Sequence, residues 1–374
     1  MGEPSKSVKY NKRSDLATFH HFQRAFGLHQ KGRLDKAESL YRQVPETSSH
    51  HCEALYQLGV IALQRGDWTS AVTQILEAIK YNSNNPTYHG SLGWAYHCCG
   101  RYNDAIKSYQ TALSFNPRLA AVYVNLGNAL IAEGKVEAAI KSYRSAITID
   151  ATLVEAHFNL ANALKTEGDF DEAIQFYRKA LACRSDFIEA HYNLANTLLA
   201  LDRHDEAIPH YQTCLAYKAD WSEACINLGI ALFNNGQVEA AIASYEKAIR
   251  PNRSSPEAFN NLGNALLSTG RRKEAKSCFQ RALSIKPDYA EAQFNLGHLY
   301  LEEGHTRMSI RCFRTAIELK HDFAEAFNYL GIAYSRNNQS IAAVDCFRKA
   351  VSLKPDYIEA QGYLVHHLQS LCDW

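Results

Sequence analysis

The sequence predicts an all-α chain built as a tandem array of helical hairpins, and three observations carry that prediction. Asn125, Asn159, Asn193, Asn227, Asn261 and Asn295 recur at a constant spacing of 34 residues, which is a repeat length. Gly32, Gly66, Gly100, Gly134, Gly168, Gly236, Gly270 and Gly304 fall on the same period, where a helix must end and a left-handed residue is wanted. A small residue is followed four places later by a large one, as in Ala139 with Tyr143, Ala173 with Tyr177 and Ala275 with Phe279, so two helices can approach closely. At 374 residues the chain exceeds the size at which a single core usually keeps growing. The period favours a quasi-linear array over separate globular domains.

Residues 1–17 read as a flexible, basic and polar leader, helical only near its end. From Thr18 the 34-residue frame runs in register through residue 357, with repeats beginning at Thr18, Cys52, Pro86, Ala120, Val154, Ile188, Ser222, Pro256, Ala290 and Ala324. A half repeat, 358–374, closes the chain. In each first helix, frame positions 4, 7, 8 and 11 form the expected buried set, illustrated by Phe259, Leu262, Gly263 and Leu266; at about 100° per residue they share a face. His157 and His191 stand at position 4 as packed, hydrogen-bonded histidines. Position 15 is the turn, with Asp202 and Asn338 replacing glycine in the sixth and tenth repeats. The second helix carries its small residue at position 20 and its large one at 24, and Pro117, Pro287 and Pro355 mark its exit.

Composition removes several function classes. Lys and Arg total 40 against 39 Asp and Glu, which lacks the basic excess that nucleic acid or an acidic membrane attracts. No apolar run approaches the roughly 20 residues of a membrane span, and the polar start has no signal-peptide core. The ten cysteines form no CxxC pair and no zinc-like pattern with histidine. Cys278, Cys312 and Cys346 occupy equivalent places, but packed helices hold such positions roughly 10 Å apart, beyond the ~7 Å that a disulfide spans between Cα atoms. Reduced thiols point to cytoplasm, nucleus or both. No HExxH, GxGxxG or GKS/T motif is present, the adjacent histidine pairs point to different helix faces, and His97-Cys98-Cys99 reads as ordinary packing. No catalytic, metal or cofactor site is expected.

The candidate site is a face. With frame position 2 set at 0°, positions 6, 9 and 13 fall near 40°, −20° and 20°, roughly opposite the buried set near 190°. Position 6 is the asparagine ladder, position 9 adds Asn128, Asn162, Asn196 and Asn264, with Ile230 and His298 breaking the set, and position 2 adds Glu155, Glu189, Glu223, Glu257, Glu291, Glu325 and Glu359. For the glutamates a capping role is expected, because Asp186, Asp220, Asp288, Asp322 and Asp356 precede five of them by three residues and Asp-x-x-Glu resembles a capping box. For the asparagines two roles stay open: repeat-to-repeat hydrogen bonding, or holding an extended polypeptide. A carboxamide offers an acceptor and two donors to match a peptide unit, so a row of them can grip a backbone of any sequence.

The Leu-Gly, Tyr, Ala, Phe/Tyr, Ala, Pro pattern resembles the tetratricopeptide repeat, which implies a right-handed α-solenoid of about ten repeats plus a terminal half repeat, with the first helices lining a concave groove. The Asn-Leu-Gly/Ala-Asn-Ala rungs, together with the ending Lys354-Pro355-Asp356-Tyr357 through Leu364-Val365-His366-His367-Leu368 to Trp374, are similar to the repeat region of the protein O-linked N-acetylglucosamine transferases. That resemblance implies a ladder that grips extended protein substrates and leads them to a UDP-sugar site in a catalytic half; UDP-GlcNAc would enter only with such a half supplied elsewhere. The family's acidic ladder is usually Asp where this chain has Glu, and Tyr329 and Tyr363 stand where its last rungs carry Asn. The apolar closing helix leads us to expect a fragment of such a transferase. A stand-alone adaptor or co-chaperone is the competing expectation, although a carboxylate clamp needs Lys and Arg at positions 2, 5 and 6, where position 2 is mainly Glu and position 6 mainly Asn. Trp68 or Trp221 on a convex surface would serve a homodimer, without a periodic signal behind it.

Overall fold

The computed structural model describes residues 12–250 and 254–372, and among them twenty-one helices follow one another with no strand. The chain divides into two compact units, Met1–Ala190 and His191–Trp374, with the division inside helix Ile188–Ala200. In the first unit successive helices pack on one another, and the first helices His51–Gln64, Pro86–Cys98, Ala120–Ala132 and Val154–Glu167 also touch in turn. In the second unit the same holds for Ser222–Asn234, Pro256–Ser268, Ala290–Glu302 and Ala324–Arg336. Each unit is thus an α-solenoid of stacked hairpins, with one face lined by first helices. Helix Lys12–Gln30 begins inside the segment read as a leader; residues 1–11, 373 and 374 lie outside those described.

The turn inside each hairpin follows from backbone chemistry. All eight position-15 glycines have positive φ, between 69° and 88°, and Asp202 and Asn338 take the same conformation at 56° and 57°. In the third repeat Gly100 N–H bonds to His97 O and Arg101 N–H to Tyr96 O, both at 2.9 Å, which is the Schellman pattern that satisfies the last carbonyls of a helix. Asp202 and Arg203 repeat it on Leu199 and Leu198 at 3.1 and 2.9 Å.

Each hairpin is held by an interlock between positions 8 and 24. Tyr109, Tyr177, Tyr211, Phe279, Phe313 and Phe347 at position 24 have no exposed surface. Their rings lie against the backbone at position 8: a Cβ added to Gly93 would sit 2.6 Å from the Tyr109 ring, and one added to Gly263 2.5 Å from Phe279. Alanine at position 20 and again at 27, as in Ala105 and Ala112, is also wholly buried. The small residues set the separation of the helices, and the large ring fills it.

The expected buried set on the first helix requires correction. Position 4 is only half-buried at Phe259, Tyr123 and His191, whereas positions 3 and 10 are buried, as Ala258 and Ala265 show. Alanines at these places let neighbouring hairpins close upon the helix, which displaces the bulkier position-4 side chain towards the edge. His157 is buried and packed, its Nε2 2.9 Å from Ala151 O, and His191 pairs with His210 at 2.8 Å between Nδ1 atoms. Burial pushes the Cys278 and Cys312 thiols up to about 11 and Cys346 to about 12, so these packed groups stay protonated at neutral pH.

Two substitutions test this account by urea denaturation followed by circular dichroism. Gly93→Ala is expected to destabilise by about 1–3 kcal/mol through overpacking against Tyr109. Asp202→Gly is expected to stabilise by about 1 kcal/mol by relieving the left-handed penalty. An unmoved midpoint in both variants would contradict the interlock and the turn assignments.

Candidate functional site

The ten asparagines assigned to the face, Asn125, Asn128, Asn159, Asn162, Asn193, Asn196, Asn227, Asn261, Asn264 and Asn295, are all half-buried on the first helices. They are less open than helical angles alone imply. The cause is a relay that links them to the core and to the next repeat. The Tyr143 hydroxyl donates to Asn128 Oδ1 at 2.7 Å, and Asn159 Nδ2 of the following repeat donates to the same oxygen at 2.9 Å. The pattern recurs where Tyr211 donates to Asn196 at 2.6 Å and Asn227 to the same oxygen at 3.0 Å; Tyr177 donates to Asn162 at 2.6 Å. Burial pushes the Tyr143 and Tyr211 hydroxyls well above the ordinary phenol range, so the donated proton is always present.

The relay defines what each amide has left. The Asn128 and Asn196 oxygens each accept from two donors. A position-6 amide such as Asn159 has spent one N–H and retains the other with its carbonyl oxygen, which is one donor and one acceptor for a peptide unit. The rotamer is fixed before any ligand arrives, so little side-chain entropy remains to be lost on binding. Not every rung is alike. Asn125 and Asn261 follow Trp94 and Ile230 at position 9 rather than asparagine, so this bond has no acceptor there. Asn295 instead donates to Asn260 Oδ1 at 2.9 Å. The role of the tyrosine hydroxyls is not apparent from the sequence, in which position 24 reads as packing alone. The available signal was pairing: Asn128, Asn162 and Asn196 each have Tyr fifteen residues on.

Family models described as TPR repeat match residues 95–133, 127–168, 161–202, 229–270 and 263–304, and those described as tetratricopeptide repeat match 188–220, 290–323 and 324–357. The chain belongs to the tetratricopeptide-repeat family. A tetratricopeptide repeat protein from Parabacteroides merdae is 17% identical, with a TM-score of 0.55, covering 67% of this chain and 98% of that one. The APC/C hetero-tetramer Cut9-Hcn1 gives 16% identity and a TM-score of 0.52, over 94% of this chain and 76% of that one. YrrB, described as a TPR protein with an unusual peptide-binding site, is 24% identical over 50% of this chain and 96% of that one, at a TM-score of 0.40. Among curated proteins no match is found. A tetratricopeptide array is a protein-binding scaffold, and the matched repeats span most of the described residues. Among those residues no helix is long and apolar enough to cross a membrane, and no three His, Cys, Asp or Glu side chains are grouped to hold a metal.

The glutamate row is placed differently from the expected capping box. In the first helices beginning at Ser222, Ala290 and Ala324 the N-cap residues are Trp221, Tyr289 and Phe323, without side-chain cap bonds, so their aspartates lie one residue earlier and their glutamates at N2. The aromatic takes the cap position because it packs on position 5 and under a basic residue: Trp221 lies 4.3 Å from Tyr192, and Lys320 sits 4.9 Å over Phe323. Glu155, Glu189, Glu223 and Glu257 are exposed, while Glu291 and Glu325 are half-buried. Arg184, Lys320 and Lys354 reach Glu155, Glu291 and Glu325 at 3.8, 3.3 and 3.7 Å, solvated pairs worth little in stability. In the first helical turn these carboxylates still gain from the helix dipole.

The relay has an internal control. Tyr109 faces Trp94 rather than asparagine in its repeat, and its buried hydroxyl has no partner. Tyr143→Phe is expected to lower stability by about 1 kcal/mol, and Tyr109→Phe to be neutral or stabilising, read from urea midpoints. Equal losses in both would contradict the relay.

Proposed function

We propose that this tetratricopeptide array holds extended segments of client proteins along its first-helix face through the asparagine ladder, and that it serves as the substrate-recognition part of a protein O-GlcNAc transferase. The observation that carries the reading is the locked rung: Asn159 is fixed by a bond to the preceding repeat, leaving one donor and one acceptor for a passing peptide unit, and Asn227 is fixed by bonds to Asn196 and Tyr192, leaving its carbonyl oxygen. At roughly 0.5–1.5 kcal/mol net per hydrogen bond, several rungs give useful affinity with little sequence discrimination. The exposed glutamates beside them favour Ser, Thr or basic side chains and disfavour acidic ones. The transferase assignment rests on the rung and closing-segment resemblance in the sequence; a location in cytoplasm, nucleus or both is proposed from the cysteine pattern. The family assignment fits a stand-alone adaptor equally well. In the adaptor reading partners are held through some other surface of the array, and no glycosyltransferase half acts on them.

Binding of a Ser/Thr-rich extended peptide library, measured for this chain and for a variant with Asn159, Asn193, Asn227 and Asn261 changed to Ala, tests the ladder at matched helicity. Loss of at least about 20-fold in affinity is expected from four rungs; equal binding would contradict it. Added in excess to a complete O-GlcNAc transferase, the unsubstituted chain is expected to compete for protein clients, an effect an unrelated adaptor would lack.

A further inference from the structure

The first unit contains a trough of about 410 Å³ on its first-helix face, bordered by the third, fourth and fifth repeats. Its lining mixes the amides of Asn128, Asn159 and Asn162 with Ile131 and His97. Ile131 is 40% exposed, a large apolar side chain left uncovered beside the amide ladder. His97 is backed by Trp94, whose ring stacks on the imidazole at 5.6 Å and 6°. Burial pushes the His97 imidazole below its ordinary range, so it stands neutral at physiological pH.

Small residues at frame position 13, Ala132 and Thr166, border the trough; in the second unit this position is Ala200 and Ser268 but also Asn234, Glu302 and Arg336, the last donating to Leu301 O at 2.9 Å. No charged side chain lines the trough. Several of its polar groups bond within the protein: the Tyr143 hydroxyl and Asn159 both donate to Asn128 Oδ1, and Thr166 Oγ1 donates to Asn162 O at 3.0 Å, while the buried His97 Nδ1 has no protein partner. A charged side chain placed here would lose water and find no counter-ion. An apolar one would cover Ile131.

We propose that this trough is a side-chain pocket that selects one large apolar residue, such as Leu, Met or Phe, in an extended client segment held by the neighbouring rungs. It rests on the ladder reading and adds a preference to it. The ladder carries no sequence information because it meets only backbone. The trough supplies one specified position, set beside Asn159, and so fixes the register in which a client lies along the first unit. Covering one large apolar side chain at this place is worth roughly a tenfold or greater gain in affinity.

A library of Ser/Thr-rich 15-residue peptides carrying a single Leu, Phe, Asp or Lys at each position in turn tests the proposal on the full chain. Ala132 is exposed, so Ala132→Phe fills the trough from the solvent side without entering the core. The unsubstituted chain is expected to prefer Leu or Phe over Ser at one position by about tenfold or more, and Ala132→Phe to bind all peptides at the Ser level. Equal binding of Leu and Ser peptides, selection of Asp or Lys, or a preference that survives Ala132→Phe would overturn the pocket. The ladder variant separates the two failures. If it loses all binding while the chain shows no Leu preference, the pocket fails and the ladder stands; if it binds as well as the unsubstituted chain, the ladder itself fails.

Discussion

The contact between frame positions 8 and 24 is the constraint on which the rest of each hairpin depends. A large ring from the second helix lies against the backbone of the first, and glycine or alanine at position 8 is what lets it arrive. In the fourth to sixth repeats the same ring is tyrosine, and its hydroxyl passes through the hairpin to an asparagine on the first-helix face. The core and the candidate site are therefore one piece of chemistry. The ring that spaces the helices also fixes the amide that presents itself to a ligand.

That coupling explains why the rungs are unequal. Where tyrosine, position-9 asparagine and the next position-6 asparagine coincide, the amides are bonded and preset. Where Trp94 or Ile230 interrupts position 9, Asn125 and Asn261 lack that anchor. In the last repeats phenylalanine replaces tyrosine at position 24, and Tyr329 occupies a rung, packed among Phe294, His298 and Phe313. The face changes from amide to aromatic along the second unit. The chemistry for holding a backbone is concentrated in the middle repeats, and the side-chain trough lies where the locked rungs begin.

Much of this was legible in the sequence. The 34-residue period gives the hairpin and its register: from Pro86 onward first helices begin at frame position 1, and the left-handed turn falls at position 15 even where Asp202 or Asn338 stands. Features that depend on contact between repeats were not legible. Alanine at positions 3 and 10 carries the packing because it is small, and a hydropathy pattern gives a small residue little weight. Asp-x-x-Glu reads as a capping box by spacing, but an aromatic side chain packing under Lys or Arg shifts the helix start by one residue. The tyrosine hydroxyls were hidden because burial of the ring is explanation enough for a tyrosine until its partner fifteen residues away is seen.

The central claim is that preset asparagine amides meet the backbone of a bound client. Asparagine-selective ¹⁵N labelling, with the side-chain amide resonances followed as an extended Ser/Thr-rich peptide is added, observes those groups directly. The account predicts that the Asn159, Asn193 and Asn227 side-chain signals shift on saturation, while a position-6 variant loses only its own resonance and part of the affinity. Saturable binding with every ladder side-chain amide unmoved would contradict it.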